Sequence, residues 1–245
     1  LIIYLIIHRN MTNENEYIFP DEFGFKDKVL DDYLAKGYYR MQHLMFTTNE
    51  TLLDYEGQSY PVFWLRTLIK DLKESSAAST IRKKCSLFSV VLKPANVTPE
   101  HEALYAVYRN YVNFSTSEFC TDYLHHSIIE NPFDSWMIEI RDGTTLIAVG
   151  YFDSGKKTIA GILNFYHPDY KNYSLGKFLV LTKIDYALQH QMQYYYTGYI
   201  STATTKFDYK LFPDEKAVEV YLPREDKWLP FYFLGKEMLE EYIIG

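Results

Sequence analysis

The sequence predicts a mixed α/β protein, one sheet with helices packed on it, and three observations predict it. From about residue 98 the residue patterns follow the order helix, helix, strand, strand, strand, helix, strand, which builds a mixed sheet rather than a bundle or a repeat. Residues 160–213 hold an apolar strand, a short turn at Ser174-Leu175-Gly176, an amphipathic helix and an aromatic strand, closed by a polar and basic tail. The chain has 245 residues, 47% of them hydrophobic, enough to enclose a substantial core.

Taken in order, Leu1 to Ile7 is apolar but far short of the ~20 residues that cross a bilayer. It lacks the basic flank and small-residue site of a signal peptide. The polar run opening at Met11 marks that residue as the expected start, with residues 1–16 an upstream or disordered segment. Helical spacing of Val29, Leu30, Tyr33 and Leu34 predicts a helix over Asp27–Lys36, capped by Gly37. A strand is expected over Tyr38–Thr48, a turn at Asp54–Gly57 and a strand over Pro61–Ile69. Lys70–Lys84, small and polar with Arg82-Lys83-Lys84 at its end, reads either as a solvated linker or as a basic loop reaching a phosphate.

Ser86–Leu92 resumes a strand. Thr98-Pro99-Glu100 then opens a helix, with Thr98 as cap, Pro99 in the first turn and acids toward the positive end. Leu104, Val107, Tyr108 and Tyr111 form its expected apolar face. A further helix is expected around Glu118–His126 and a strand over Pro132–Ile140. Asp142-Gly143 turns into a strand over Thr145–Tyr151, and Ser154–Lys156 into another over Thr158–Tyr166.

Charge and cysteine content narrow the function. Lys and Arg number 25 against 32 Asp and Glu, a net charge of −7, so nucleic acid would have to meet a local basic patch. Tyrosine, at 24 residues, suits half-buried strands and ligand clefts. The two cysteines, Cys85 and Cys120, form no C-x-x-C, which excludes a four-cysteine zinc site and fits a reducing cytosol. Cys120 beside His125 and His126 reads as a buried thiol or a nucleophile. His101-Glu102 lacks the second histidine of a zinc hydrolase, and no metal site is expected.

The turn at Ser174-Leu175-Gly176-Lys177 precedes a helix whose free N–H groups and dipole favour an anionic or acyl-bearing ligand, although a plain capping turn has the same residues. Its surroundings carry a resemblance. Leu163-Asn164-Phe165-Tyr166-His167-Pro168-Asp169, Ser174-Leu175-Gly176, the run Tyr194–Tyr199, Lys206, Tyr209-Lys210 and Trp228 follow one another in order. They resemble the C-terminal domain of aminoacyl-tRNA–protein transferases, the arginyl- and leucyl-transferases of the N-degron pathway, within the GNAT acyltransferase superfamily. Glu100–Tyr105, Leu34–Arg40 and Arg82–Lys84 resemble the family's upstream motifs. Two departures stand out: the family's N-terminal cysteines are missing, and its aspartate in F-Y-D-P is His167.

The resemblance implies a GNAT-like fold, with a mixed, mostly antiparallel sheet flanked by helices and a small N-terminal subdomain over residues 17–93 before an acyltransferase domain over 94–245. It implies transfer of an amino acid from charged tRNA to a protein N-terminal amine, in the cytoplasm, with aminoacyl-tRNA as co-substrate and no other cofactor. The alternatives are an acyl-CoA-dependent N-acyltransferase and a non-catalytic binding module. His167, Tyr166 and Asn164 are the implied catalytic residues, and Ser174, Leu175, Gly176 and Lys177 the acyl-donor cradle. Arg40, Arg82, Lys83, Lys84, Tyr199, Lys206 and Lys210 are the implied contacts to tRNA or an acidic substrate. For His167 a base and an ordinary surface or core histidine remain alternatives.

Overall fold

The computed structural model describes residues 16–52, 59–114, 116–124 and 130–244. The expectations for Met11, for the turn at 54–57 and for His125 and His126 lie outside these residues. Among the described residues twelve strands form two sheets. Strands β1 (Tyr17–Ile18), β2 (Tyr39–Met41) and β3 (Leu44–Phe46) make a small one in the order β1-β3-β2. The large one runs β12-β11-β5-β10-β9-β8-β7-β6, with β4 (Glu50–Leu52) added on β5 (Ser59–Leu68). Its other members are β6 (Ser89–Pro94), β7 (Ser135–Asp142), β8 (Thr145–Ser154), β9 (Thr158–Tyr166), β10 (Tyr194–Ser201), β11 (Val218–Leu222) and β12 (Lys227–Pro230). Pairing is antiparallel except between β9 and β10, which a crossover helix joins in parallel. The mixed, mostly antiparallel sheet is thus present. β5, from the N-terminal part of the chain, lies inside it between β10 and β11.

The helices are α1 (Asp27–Ala35), α2 (Ser76–Cys85), α3 (Pro99–Tyr111), α4 (Thr121–Leu124), α5 (Leu175–Gln189) and α6 (Phe231–Ile244). α1 buries Leu30 and Leu34, and the Gly37 N–H closes it on the Leu34 carbonyl. Four expectations need correction. The strand expected over 38–48 is the hairpin β2–β3, whose turn places Gln42 at φ 55°. Without a glycine or asparagine at the reversal, nothing in the period-two pattern shows it. The stretch 70–84 is mostly helix, because Ser75 caps α2 through the Ala78 N–H (3.2 Å) and Ala78, Ile81 and Cys85 are buried along one face.

In α3 the inner face is His101, Leu104 and Tyr105, while Val107 and Tyr111 are exposed. Thr98 and His101 form a reciprocal cap there: Thr98 Oγ1 accepts the His101 N–H, and His101 Nδ1 accepts the Thr98 N–H (3.1 Å). Finally, α5 is not a one-faced amphipathic helix. Leu175, Phe178, Leu179, Val180, Leu181, Lys183, Ile184, Tyr186 and Ala187 are all buried, because α5 lies between the sheet and α2.

Arg40 ties the small sheet to the large one. Its guanidinium is buried, bonded to Asp153 Oδ1 (2.7 Å), Ser135 Oγ (2.8 Å), the Leu124 carbonyl and the Gln42 carbonyl (2.7 Å), and lies 4.2 Å over the Phe133 ring. Burial lowers the Arg40 pKa and raises that of Asp153, each against the pull of its partner. Arg40 is therefore a structural cation, and the expectation that it meets tRNA or substrate is corrected. Trp228 plays a similar part, its indole N–H donating to the Ala35 carbonyl (2.7 Å) beside Arg66.

Candidate functional site

β9 and β10 begin side by side and then part. They pair at Thr158–Ala160 and Tyr194–Tyr196. Beyond that, β9 stays with β8 and β10 stays with β5. The cause lies on both flanks, since a bulge interrupts β8–β9 at Tyr151/Phe152 and another interrupts β10–β5 between Tyr196 and Gly198. Bulges bend a strand and increase its twist, so the two strands veer apart at the same level. Gly198, at φ 103°, supplies the backbone conformation that the second bulge needs.

Residues 202–213 run across this opening. At one end Lys206 Nζ lies 4.4 Å over the Phe114 ring, just beyond α3. At the other, Lys177 Nζ at the start of α5 lies 5.1 Å from the Phe212 ring. Between them Lys210 Nζ donates to the Tyr199 carbonyl (2.9 Å), 4.4 Å from the Tyr199 ring and 4.7 Å from Phe207. A Cβ at Gly198 would stand 2.9 Å from that Nζ. Tyr199 packs edge-on against Trp64 and Phe207, and its hydroxyl meets Thr51 (3.1 Å). Among the described residues neither Lys206 nor Lys210 has a carboxylate in ion-pair range. Burial pulls Lys210 down to about 7, helped by the charge of Lys206, and burial lowers Lys206 as well.

The start of α5 borders the same opening. Ser174 is in the left-handed conformation (φ 56°, ψ 44°), and its side chain makes no bond to the helix. The first helical bond runs from the Phe178 N–H to the Ser174 carbonyl (3.0 Å), so the N–H groups of Leu175, Gly176 and Lys177 precede the ladder. Ser174 thus leaves the start of α5 without a side-chain cap. Gly176 lies beside Tyr166, which in turn packs 5.4 Å from Tyr108. Burial raises the Tyr166 phenol, which stays protonated.

His167 begins the 3₁₀ turn before α5, its Nδ1 accepting the Asp169 N–H (3.3 Å). With Nδ1 accepting that bond, Nε2 is the ring nitrogen left to face other groups. Asn164 Oδ1 accepts a bond from Lys183 Nζ (2.8 Å), which also donates to the Tyr151 carbonyl (2.7 Å). Lys183 was not singled out from the sequence. The available signal was a lysine within the apolar run Phe178–Leu188.

The remaining sequence-derived residues lie elsewhere. Arg82 makes a two-pronged pair with Asp185 (2.6 and 2.7 Å) and a bond to Glu74 (3.0 Å), which locks α2 to α5 beside a cavity of about 390 Å³. It is not a free phosphate contact. Lys83 and Lys84 are exposed at the end of α2, whose Cys85 Sγ reaches the Tyr173 carbonyl (3.4 Å) just before α5. Cys120 is buried and its thiol is raised by burial beside Glu102, so it is held as a thiol and not as a nucleophile.

Comparison with known proteins gives a consistent result. Residues 100–214 match the family described as arginine-tRNA-protein transferase, C terminus. An aspartate/glutamate leucyltransferase of Leptospira interrogans is 22% identical over 220 residues, 86% of this chain and 81% of its own length. Arginyl-tRNA–protein transferase 1 of Arabidopsis thaliana is 32% identical over 119 residues, which are 46% of this chain and 18% of that one. An aspartate/glutamate leucyltransferase of Shewanella (strain MR-7) is 30% identical over 122 residues, 46% of this chain and 50% of its own. The chain therefore spans most of one relative and half or less of the other two.

Proposed function

We propose that the chain, whose residues 100–214 match the family described as arginine-tRNA-protein transferase, C terminus, moves an amino acid from a charged tRNA to the N-terminal amine of a protein or peptide. The observation that supports this reading is the parting of β9 from β10, with Lys210 held on the Tyr199 carbonyl and Lys177, at the uncapped start of α5, against Phe212 of the same segment, all inside the matched residues.

The aminoacyl ester is already activated, so the task is to position two groups and stabilise an oxyanion. On this reading the acyl carbonyl faces the N–H groups of Leu175, Gly176 and Lys177, with Tyr166 alongside. The α-amine attacks the carbonyl carbon, and its proton passes to the neutral form of Lys210. A C–N bond forms, the C–O bond to the tRNA ribose breaks, and that ribose hydroxyl leaves with a proton. A base near 7 suits an α-amine of pKa ~8. Lys83, Lys84, Lys177 and Lys206 are exposed and suit the phosphates of the tRNA end. The same reading makes the protein a GNAT-like enzyme of the cytosol that marks N-termini for the N-degron pathway, with charged tRNA in place of a cofactor.

The test is incubation with leucyl-tRNA and, separately, arginyl-tRNA, together with peptides beginning with Asp, Glu, Lys or Ala, read by mass. A gain of one amino-acid residue on a free N-terminus, and none on an acetylated one, is expected. The relatives named above make leucyl-tRNA with Asp or Glu peptides the first pair. A gain from acetyl-CoA with none from any charged tRNA overturns the proposal.

A further inference from the structure

The chemistry above leaves Lys183 without a task. Its side chain is completely buried in α5, a costly place for an amine unless its N–H groups are claimed. Two neutral acceptors claim them, the Tyr151 carbonyl at 2.7 Å and Asn164 Oδ1 at 2.8 Å. The backbone accommodates this contact twice over. The bulge after Tyr151 interrupts the β8–β9 ladder beside the carbonyl that Lys183 uses. Gly150 stands opposite Asn164 in that ladder, where a Cβ would lie 2.7 Å from Asn164 Oδ1 and 3.3 Å from Lys183 Cε. Asn164 itself is half-buried, on the part of β9 that has separated from β10.

The Asn164 atom that meets the lysine is the amide oxygen, at 2.8 Å, so the amide nitrogen faces away from α5. Resting on the transferase reading, we propose that Lys183 is a positioning residue: its buried Nζ holds the Asn164 oxygen and thereby fixes the Asn164 amide nitrogen as an N–H donor to the acyl carbonyl at the opening between β9 and β10. An amide keeps its protons throughout the transfer, so it stabilises the developing oxyanion without exchanging a proton. Burial also pulls Lys183 down to about 7 against the attraction of Asp153.

The experiment uses the whole chain and two substitutions, Lys183→Met and Asn164→Ala, singly and together. Side-chain amide NMR comes first, with the Asn164 signal identified by its loss in Asn164→Ala. In Lys183→Met the Asn164 amide pair is expected to shift and broaden, and an unmoved pair overturns the proposal whatever the activity. With leucyl-tRNA and an acidic peptide, each single variant is expected to lower kcat by about 100- to 1000-fold, the range for loss of one oxyanion donor. KM is expected to stay within about twofold. The double variant is expected to be no worse than either single one, because both remove the same donor. Full kcat in a folded Lys183→Met, or multiplied losses in the double variant, overturns the proposal. If Lys183→Met does not fold, the Lys183 ¹³Cε titration decides. Its midpoint is expected to move in Asn164→Ala, and an unchanged midpoint overturns the clamp. A wild-type chain that transfers nothing sinks the transferase reading alone, because the amide and ¹³Cε signals are read without turnover.

Discussion

Two lysine amines are held near neutrality by burial, and the sequence marked only one of them. Lys210 stood in a tail already rich in Lys and Tyr, whereas Lys183 was hidden in an apolar helix. Lys183 has a stability consequence whose sign is fixed. Its folded pKa, about 7, lies below the unfolded value of 10.5, so between these the unfolded chain binds the extra proton. Stability is therefore reduced in full below pH 7 and recovers as pH rises. The groups that bear on it are Asp153, which favours the charged form and is itself paired with Arg40, and the two neutral acceptors. Between pH 7.5 and 8.5 this residue is expected to add about 1 kcal/mol per pH unit to the unfolding free energy. Urea unfolding of wild type and Lys183→Met checks it, since the difference between them must change with that slope. Arg40 and Arg82 teach the opposite lesson. As isolated cations they suit phosphate, but Asp153 and Asp185, each more than a hundred residues away, claim them. A charge can be read from sequence, while its partner cannot.

At the scale of elements, caps and turns with their own chemistry were legible. Thr98-Pro99 began α3, Gly37 closed α1, and Asp142-Gly143 turned β7 into β8. The elements that escaped had ambiguous surfaces: α2 is polar and small outside a three-residue buried stripe, and α5 is apolar nearly all round. The two bulges that part β9 from β10 were also invisible, because a bulge belongs to a pair of strands and not to one. Gly198 is where that parting is most exposed to test. Gly198→Ala puts a Cβ on a residue at φ 103°, 2.9 Å from Lys210 Nζ. The strained backbone is expected to cost about 1–3 kcal/mol in urea unfolding, and transfer should slow because Lys210 is displaced. Unchanged stability together with unchanged transfer would mean that Lys210 does not depend on this bulge.

For the whole molecule, charge and topology set the terms. With a net charge of −7, the protein has no general attraction for RNA, and binding must rest on a few local cations. If Lys83, Lys84, Lys177 and Lys206 each meet a phosphate, log K for tRNA should fall with log salt at a slope of about −3 to −4. Removing Lys83 and Lys84 together should flatten that slope by nearly two units. Filter binding across a salt series measures both, and a slope indifferent to the double substitution removes α2 from the tRNA path. By itself the sequence determined the fold class, the order of elements from residue 98, the strand–turn–helix segment around Ser174–Lys177 and the family resemblance. All of these rest on local periodicity, caps and motif order. Only the tertiary structure decided that β5 lies between β10 and β11, that β9 and β10 part, that Arg40 and Arg82 are spent on carboxylates, and that Lys183 reaches Asn164. Each depends on which distant segments pack together, and a one-dimensional pattern carries no record of the partner across the sheet.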